Sequence, residues 1–177
     1  MQHHDVLRAV AFAARVHAGQ LRKDGKTPYV SHVVRVCMIV RNVFGFDDPR
    51  MLQTALLHDT IEDTTTDFDD IAEAFSTEVA AWTAALTKDK RLGEAAREAA
   101  YLQALLGAPW QVHVCKLADI YDNLLDSQHL DAAKQAKTRE RAHAYLEGFR
   151  GLTHAEVVRC RNIVDALAAS VAENGAG

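Results

Sequence analysis

The sequence predicts an all-α helical bundle, and three observations predict it. Apolar residues recur at helical spacing along most of the chain, as with Val6, Val10, Ala13 and Ala14. Strand-like alternation of useful length is absent, and only a short hairpin near residues 21–29 is open to strand pairing. Alanine is abundant while aromatic residues make up only 7% of the chain, a composition suited to close helix packing.

The elements follow in order. A first helix carries the stripe Val6, Val10, Ala13, Ala14 and Val16 and stops at His17-Ala18-Gly19, with Gly19 as its C-cap. Residues 20–29 form a polar loop holding Asp24-Gly25 and Pro28. Ser31, a good N-cap, starts a second helix that runs to about Phe44 and is closed by Gly45. Asp48-Pro49 opens a third with proline near N1, and His58-Asp59 stands at its end. Thr64-Thr65-Thr66-Asp67 makes a capping turn before a short helix over about 68–75, and Ser76 starts another running to about 86. The charged stretch Lys88-Asp89-Lys90-Arg91 leads to a helix over 94–106, broken by Gly107 and Pro109. A long helix over about 110–127 follows, then two more over about 131–149 and 153–173. Trp82 and Trp110 are expected to pack the core, and the tail from Asn174 to Gly177 is expected to fray. No repeat, low-complexity segment or dividing linker appears, so residues 1–177 are expected to form one domain.

Bulk properties narrow the function. A net charge of −4 argues against a nucleic-acid partner. It leaves room for a small anionic substrate, because a metal and a few basic side chains reverse the field locally. Cys37, Cys115 and Cys160 are odd in number and form no CxxC, which points to reduced thiols in the cytoplasm. No apolar run approaches the roughly 20 residues of a membrane span. Arg8 and Arg15 interrupt the apolar start, which excludes a secretory signal there. The same segment is expected to be a first core helix rather than a transit peptide.

The chemistry concentrates in LLHDTIEDT. Helix positions three and four apart share a face, so His58 is expected above Glu62, and Asp59 above Glu62 and Asp63. A purely structural helix has little reason to crowd carboxylates that repel one another and resist desolvation. Two further positions supply metal-ligand chemistry: His32 in TPYVSHVVRV and Asp119 in VCKLADIYDNLL. Asp119 is flanked by Leu117, Ala118 and Ile120, and a carboxylate in such a setting is either paired or metal-bound. Lys116, one turn back, offers the pairing; Asn123, one turn on, projects the same way. Together His32, His58, Asp59 and Asp119 make a mixed nitrogen and oxygen set suited to Mn, Fe or Zn.

The order H, then HD, then D across three helices resembles the signature of the HD phosphohydrolase superfamily. RKDGKTPYVSH, ALLHDTIEDT, LTKDK and KLADIYDNL narrow the match, since they resemble the hydrolase domain of the RelA/SpoT alarmone enzymes. Their order and spacing look most like the stand-alone small alarmone hydrolases, over about residues 5–150, with the motif core at about 17–145. The resemblance implies that His32, His58, Asp59 and Asp119 hold a metal, manganese in that family, and that Glu62 and Asp63 are the catalytic acidic pair. It implies substrate contacts at Arg22, Lys23, Lys90, Asn123, Arg141 and Tyr145. Departures fall at Ile120 and Asp122, where relatives often carry a basic residue and His or Tyr, and these bear on how the base or ribose is positioned.

The activity implied is metal-dependent removal of the 3′-diphosphate from ppGpp or pppGpp, giving GDP or GTP and pyrophosphate. No synthetase segment accompanies it in this sequence, so alarmone synthesis is not expected. The same resemblance keeps NADPH, losing its 2′-phosphate, as an alternative nucleotide substrate. A catalytically silent nucleotide sensor is the alternative of another class, and it would be favoured by a missing ligand or acidic residue; none is missing. Nothing in the sequence fixes whether the chain forms a homo-oligomer.

Overall fold

The computed structural model describes residues 2–174, and regular structure among them is helical. In order these are α1 Gln2–Val16, α2 Val30–Met38, α3 Pro49–Leu57, α4 Thr60–Asp63, α5 Phe68–Ala74, α6 Thr77–Ala85, α7 Glu94–Leu106, α8 Trp110–Ser127, α9 Ala132–Gly148 and α10 Ala155–Asn174. The hairpin near residues 21–29 is reduced to one antiparallel bridge between Leu21 and Pro28. Pro28 has no N–H to extend a ladder. Residues 175–177 of the expected frayed tail lie outside the described residues, and Asn174 closes α10.

Side-chain caps set four of the helix starts. The Asp48 side chain accepts from Arg50 N–H at 2.9 Å, with Pro49 at the first helical position. Asp67 and Asp70 form a reciprocal capping box, Ser76 Oγ accepts from Val79 N–H, and Asp131 accepts from Lys134 N–H. Ser31 departs from expectation. Tyr29, with a helical φ of −58°, is the residue before α2, and Ser31 Oγ donates to the Pro28 carbonyl instead of capping.

The second helix departs again at its end. After Met38 the chain passes into a π turn, Ile39–Val43, in which Phe44 N–H donates to the Ile39 carbonyl at 2.9 Å. The wider turn delivers Phe44 fully into the core. Gly45 follows at φ +80°, a left-handed conformation that favours glycine at a helix end.

The core is organised around α8. Val112, Val114, Leu117, Ala118 and Leu124 are buried, and α8 packs against α2, α3, α9 and α10. Each such side chain contributes roughly 1.5–3 kcal/mol on burial. The first helix buries Ala9 and Ala13 and packs on α3, so the amphipathic start is a core element. Trp82 is buried and Trp110 packs at the edge of the core, stacked on His154. No described helix is long and apolar enough to cross a membrane.

Candidate active site

The α3 ladder ends at Leu57, His58 and Asp59 form a turn, and α4 resumes at Thr60. The sequence reading of one continuous helix end is therefore modified: the ladder breaks at the His-Asp pair itself. Both residues keep φ and ψ in the right-handed region, and Asp63 N–H still donates to the Asp59 carbonyl at 2.9 Å. The break lets adjacent side chains, about 100° apart on an unbroken helix, reach one region from the mouth of the turn.

There α2, α3 and α8 bring the predicted set together. One donor atom each from His32, His58 and Asp59 lies within 4.8 Å of the other two. Asp119 Oδ1 lies 3.3 Å from His32 Nε2 and 3.8 Å from His58 Nε2. Hydrogen bonds on the far sides of the rings set their orientation. His58 Nδ1 is 2.8 Å from the Ala55 carbonyl, and His32 Nδ1 is 2.7 Å from Asp122 Oδ2. A carbonyl and a carboxylate only accept, so each Nδ1 carries a proton and each Nε2 faces the site, where a metal would take its lone pair in place of a proton.

These residues fit a divalent metal. His58 Nε2 is buried and makes no hydrogen bond, although it sits 2.9 Å from Asp59 Oδ2. Two imidazole nitrogens and two carboxylates converging without hydrogen-bonding one another suit an ion between them better than direct pairing. The surrounding electrostatics agree. Burial works to lower the His32 pKa, but the Asp119, Asp122 and Asp59 carboxylates overcome it and push it up to about 10. Such a value marks a site built to attract positive charge. Burial works to raise the Asp119 pKa, yet Lys116 at 2.7 Å and the two imidazoles hold it well below the usual carboxylate range. The expected alternatives at Asp119, pairing with Lys116 or facing the site, are thus both realised, one on each carboxylate oxygen.

The acidic pair flanks this set. Glu62 and Asp63 line the same cleft. Glu62 Oε2 accepts from Lys88 N–H at 3.0 Å, which leaves Oε1 for other partners. Burial, and then the Asp59 and Asp63 charges, raise the Glu62 pKa against the pull of that bond. Tyr29, whose hydroxyl donates to Asp59 Oδ2 at 2.5 Å, braces the site from the loop.

The basic residues are arranged differently from one another. Lys23 and Arg141 line the cleft, and burial followed by the charges of Arg22 and Arg141 lowers the Lys23 pKa. Arg141 also reaches Glu94 at 3.1 Å, and Tyr145 donates to Glu98. Arg22 lines the cleft but is clamped, its guanidinium donating to Asp126 Oδ2 at 2.8 and 3.0 Å and to Asn123 Oδ1 at 3.2 Å. Asn123 in turn donates to Asp119 Oδ1 at 2.5 Å. Lys90 does not line the cleft; its ammonium is turned onto the Glu62 carbonyl and Asp63 Oδ1.

Sequence reasoning overlooked Lys88, which lies over Tyr101 and Tyr145 in the cleft wall and bonds Glu98 at 2.8 Å. It also took Asp122 for a substrate-side departure. Asp122 is fully buried, is not part of the cleft wall, and faces His32 from behind. Its spacing three residues beyond Asp119, which puts both carboxylates on the side of α8 that meets His32, was the available signal.

A family model described as HD domain matches residues 9–168. The chain belongs to the HD-domain family. This HD-domain chain is 35% identical over 144 residues to the guanosine-3′,5′-bis(diphosphate) 3′-pyrophosphohydrolase MESH1 of Danio rerio, covering 80% of the chain and 78% of that relative. With the Homo sapiens MESH1 it shares 38% identity over 122 residues, 68% of either protein. A solved structure of a metazoan orthologue of SpoT, described as hydrolysing ppGpp, matches the HD-domain chain with a TM-score of 0.79 and 28% identity. That match covers 92% of this chain and 94% of the other.

Proposed function

We propose that this HD-domain chain, as one domain over residues 1–177, hydrolyses the 3′-diphosphate of guanosine alarmones, giving GDP or GTP and pyrophosphate. The observation that carries the reading is the convergence of His32, His58, Asp59 and Asp119 on one point of a cleft that also holds Glu62. Relatives at 35 and 38% identity that bear the name of this activity support it. The metal in this reading is manganese, held by those four residues, and the setting is the cytoplasm, in keeping with three buried free cysteines.

When bound, the metal supplies Lewis-acid polarisation of a phosphoryl oxygen and makes a water easier to deprotonate. The chain's own residues do the rest. Glu62 Oε1 takes the proton of the attacking water, its pKa raised by burial toward the working range of a general base. Asp63, tied to Lys90, holds α4 in place so that Glu62 keeps its aim. The water oxygen bonds to phosphorus as the bond from O3′ to phosphorus breaks, and the proton taken by Glu62 goes on to the leaving ribose oxygen. Lys23 and Arg141 offset phosphate charge, the guanidinium doing so through paired N–H groups. Arg22 holds Asn123 and adds positive field, and Tyr145 lines the cleft with its hydroxyl held by Glu98.

The test is turnover by purified protein with added manganese, comparing ppGpp with NADPH and resolving products by chromatography. Release of GDP and pyrophosphate from ppGpp is the expected result. Phosphate release from NADPH alone would move the activity to the 2′-phosphate, and inactivity on both would overturn the nucleotide reading.

A further inference from the structure

We infer that Asp122 is a positioning residue for His32: it fixes which ring nitrogen faces the site, through a closed network of two arginines and two aspartates. The inference rests on the metal assignment proposed above for His32 and concerns a residue outside the cleft wall. Asp122 Oδ2 lies 2.7 Å from His32 Nδ1, and Asp122 has no exposed surface. A carboxylate buried this completely is costly unless its charge is matched. Arg35 matches it, with Nε 2.7 Å from Asp122 Oδ1, and Arg22 adds charge at 3.8 Å. The same two arginines hold Asp126, at 2.8 Å from Arg22 and 3.1 Å from Arg35. Two positive and two negative groups therefore form a neutral cluster.

The spacing explains why the cluster acts on one ring. His32 and Arg35 are three apart on α2, and Asp122 and Asp126 are four apart on α8, so each pair shares a helix face. The two faces meet behind the His32 ring, and Arg22 enters from the loop before α2. A carboxylate partner on a ligating imidazole fixes the tautomer and raises the basicity of the other nitrogen. His58 is treated differently: its Nδ1 meets the Ala55 backbone carbonyl, a weaker and uncharged acceptor that no side-chain change removes. The two imidazoles are thus tuned unequally, and only the His32 side is open to substitution. A role limited to partnering Arg35 would place no demand on His32 Nδ1.

The test is titration of the whole protein with Mn2+ alone, free ion being read by electron paramagnetic resonance, for wild type, Asp122→Asn and Asp122→Ala. Thermal melts accompany each to confirm folding. Asp122→Ala is expected to weaken Mn2+ binding by roughly 10–100-fold. Asp122→Asn keeps an acceptor oxygen at the same place and is expected to fall between wild type and Asp122→Ala. Folded Asp122→Ala that binds Mn2+ as tightly as wild type overturns the inference. Should Asp122→Ala not fold, nitrogen NMR of zinc-loaded wild type decides: a proton on His32 Nδ1 supports it, and a proton on Nε2 overturns it. Because no nucleotide is present, loss of alarmone turnover with an intact Asp122 effect would sink the proposed substrate and leave this inference standing.

Discussion

Replacing Glu62 by Gln is the perturbation that most sharply separates catalysis from metal binding. The substitution preserves shape, and the new amide oxygen can still accept from Lys88 N–H, as Glu62 Oε2 does at 3.0 Å. It removes the proton-accepting capacity of Oε1. Glu62 is not among the atoms that converge on the metal position, so binding of the ion is expected to survive. Loss of a positioned general base costs about 10²–10⁴ in rate, or about 2.7–5.4 kcal/mol of transition-state stabilisation. The assay is kcat on ppGpp, with bound manganese measured on the same sample. A kcat within about threefold of wild type, far inside the cost of losing a base, would refute the role. A protein that has lost its metal would move Glu62 from proton acceptor to ligand.

Asp59→Ala is expected to lose both bound metal and turnover, measured by metal analysis and product release; activity retained in that variant would sink the metal assignment. Lys116→Met leaves the buried Asp119 carboxylate without its 2.7 Å partner. A stability loss of about 3 kcal/mol follows, seen as a Tm lower by about 6–12 °C in metal-free melts, and an unchanged Tm would contradict it. The loop before α2 has its own pH signature. Asp24 is held at a pKa of about 2 by the Thr27 hydroxyl and by the N–H groups of Thr27 and Lys26. A depressed carboxyl stabilises fully above its unfolded value of about 3.9 and loses that contribution as pH falls through the folded value. The Tm gap between wild type and Asp24→Ala should therefore close between about pH 4 and pH 2, and a gap unchanged at pH 2 would dismiss it.

Helix positions were largely legible because their signals are local. Asp48-Pro49, Ser76 and Asp131 act within one turn, and the apolar periods over 94–106 and 110–127 continue without interruption. The π turn at Ile39–Val43 was not legible, since it answers to the core's demand for Phe44 rather than to any local residue. At the site, residue types and order named the groups that meet, yet not their partners. Arg22 and Lys90 carry the right charge for phosphate, but Asp126 and Asp63 engage them. Whether a cation faces a cleft or a carboxylate is decided across the fold, by residues 104 and 27 positions away in sequence. Asp122 was hidden for the same reason: its partner His32 lies 90 residues earlier.

The measurement that tests the central claim most directly is a paired titration of metal-stripped protein with Mn2+, following ion binding and pyrophosphate release from ppGpp together. One set of four residues serving the reaction predicts that both rise in step and level off at one ion per chain. Pyrophosphate release that persists in the stripped protein, or that ignores the binding curve, would contradict it.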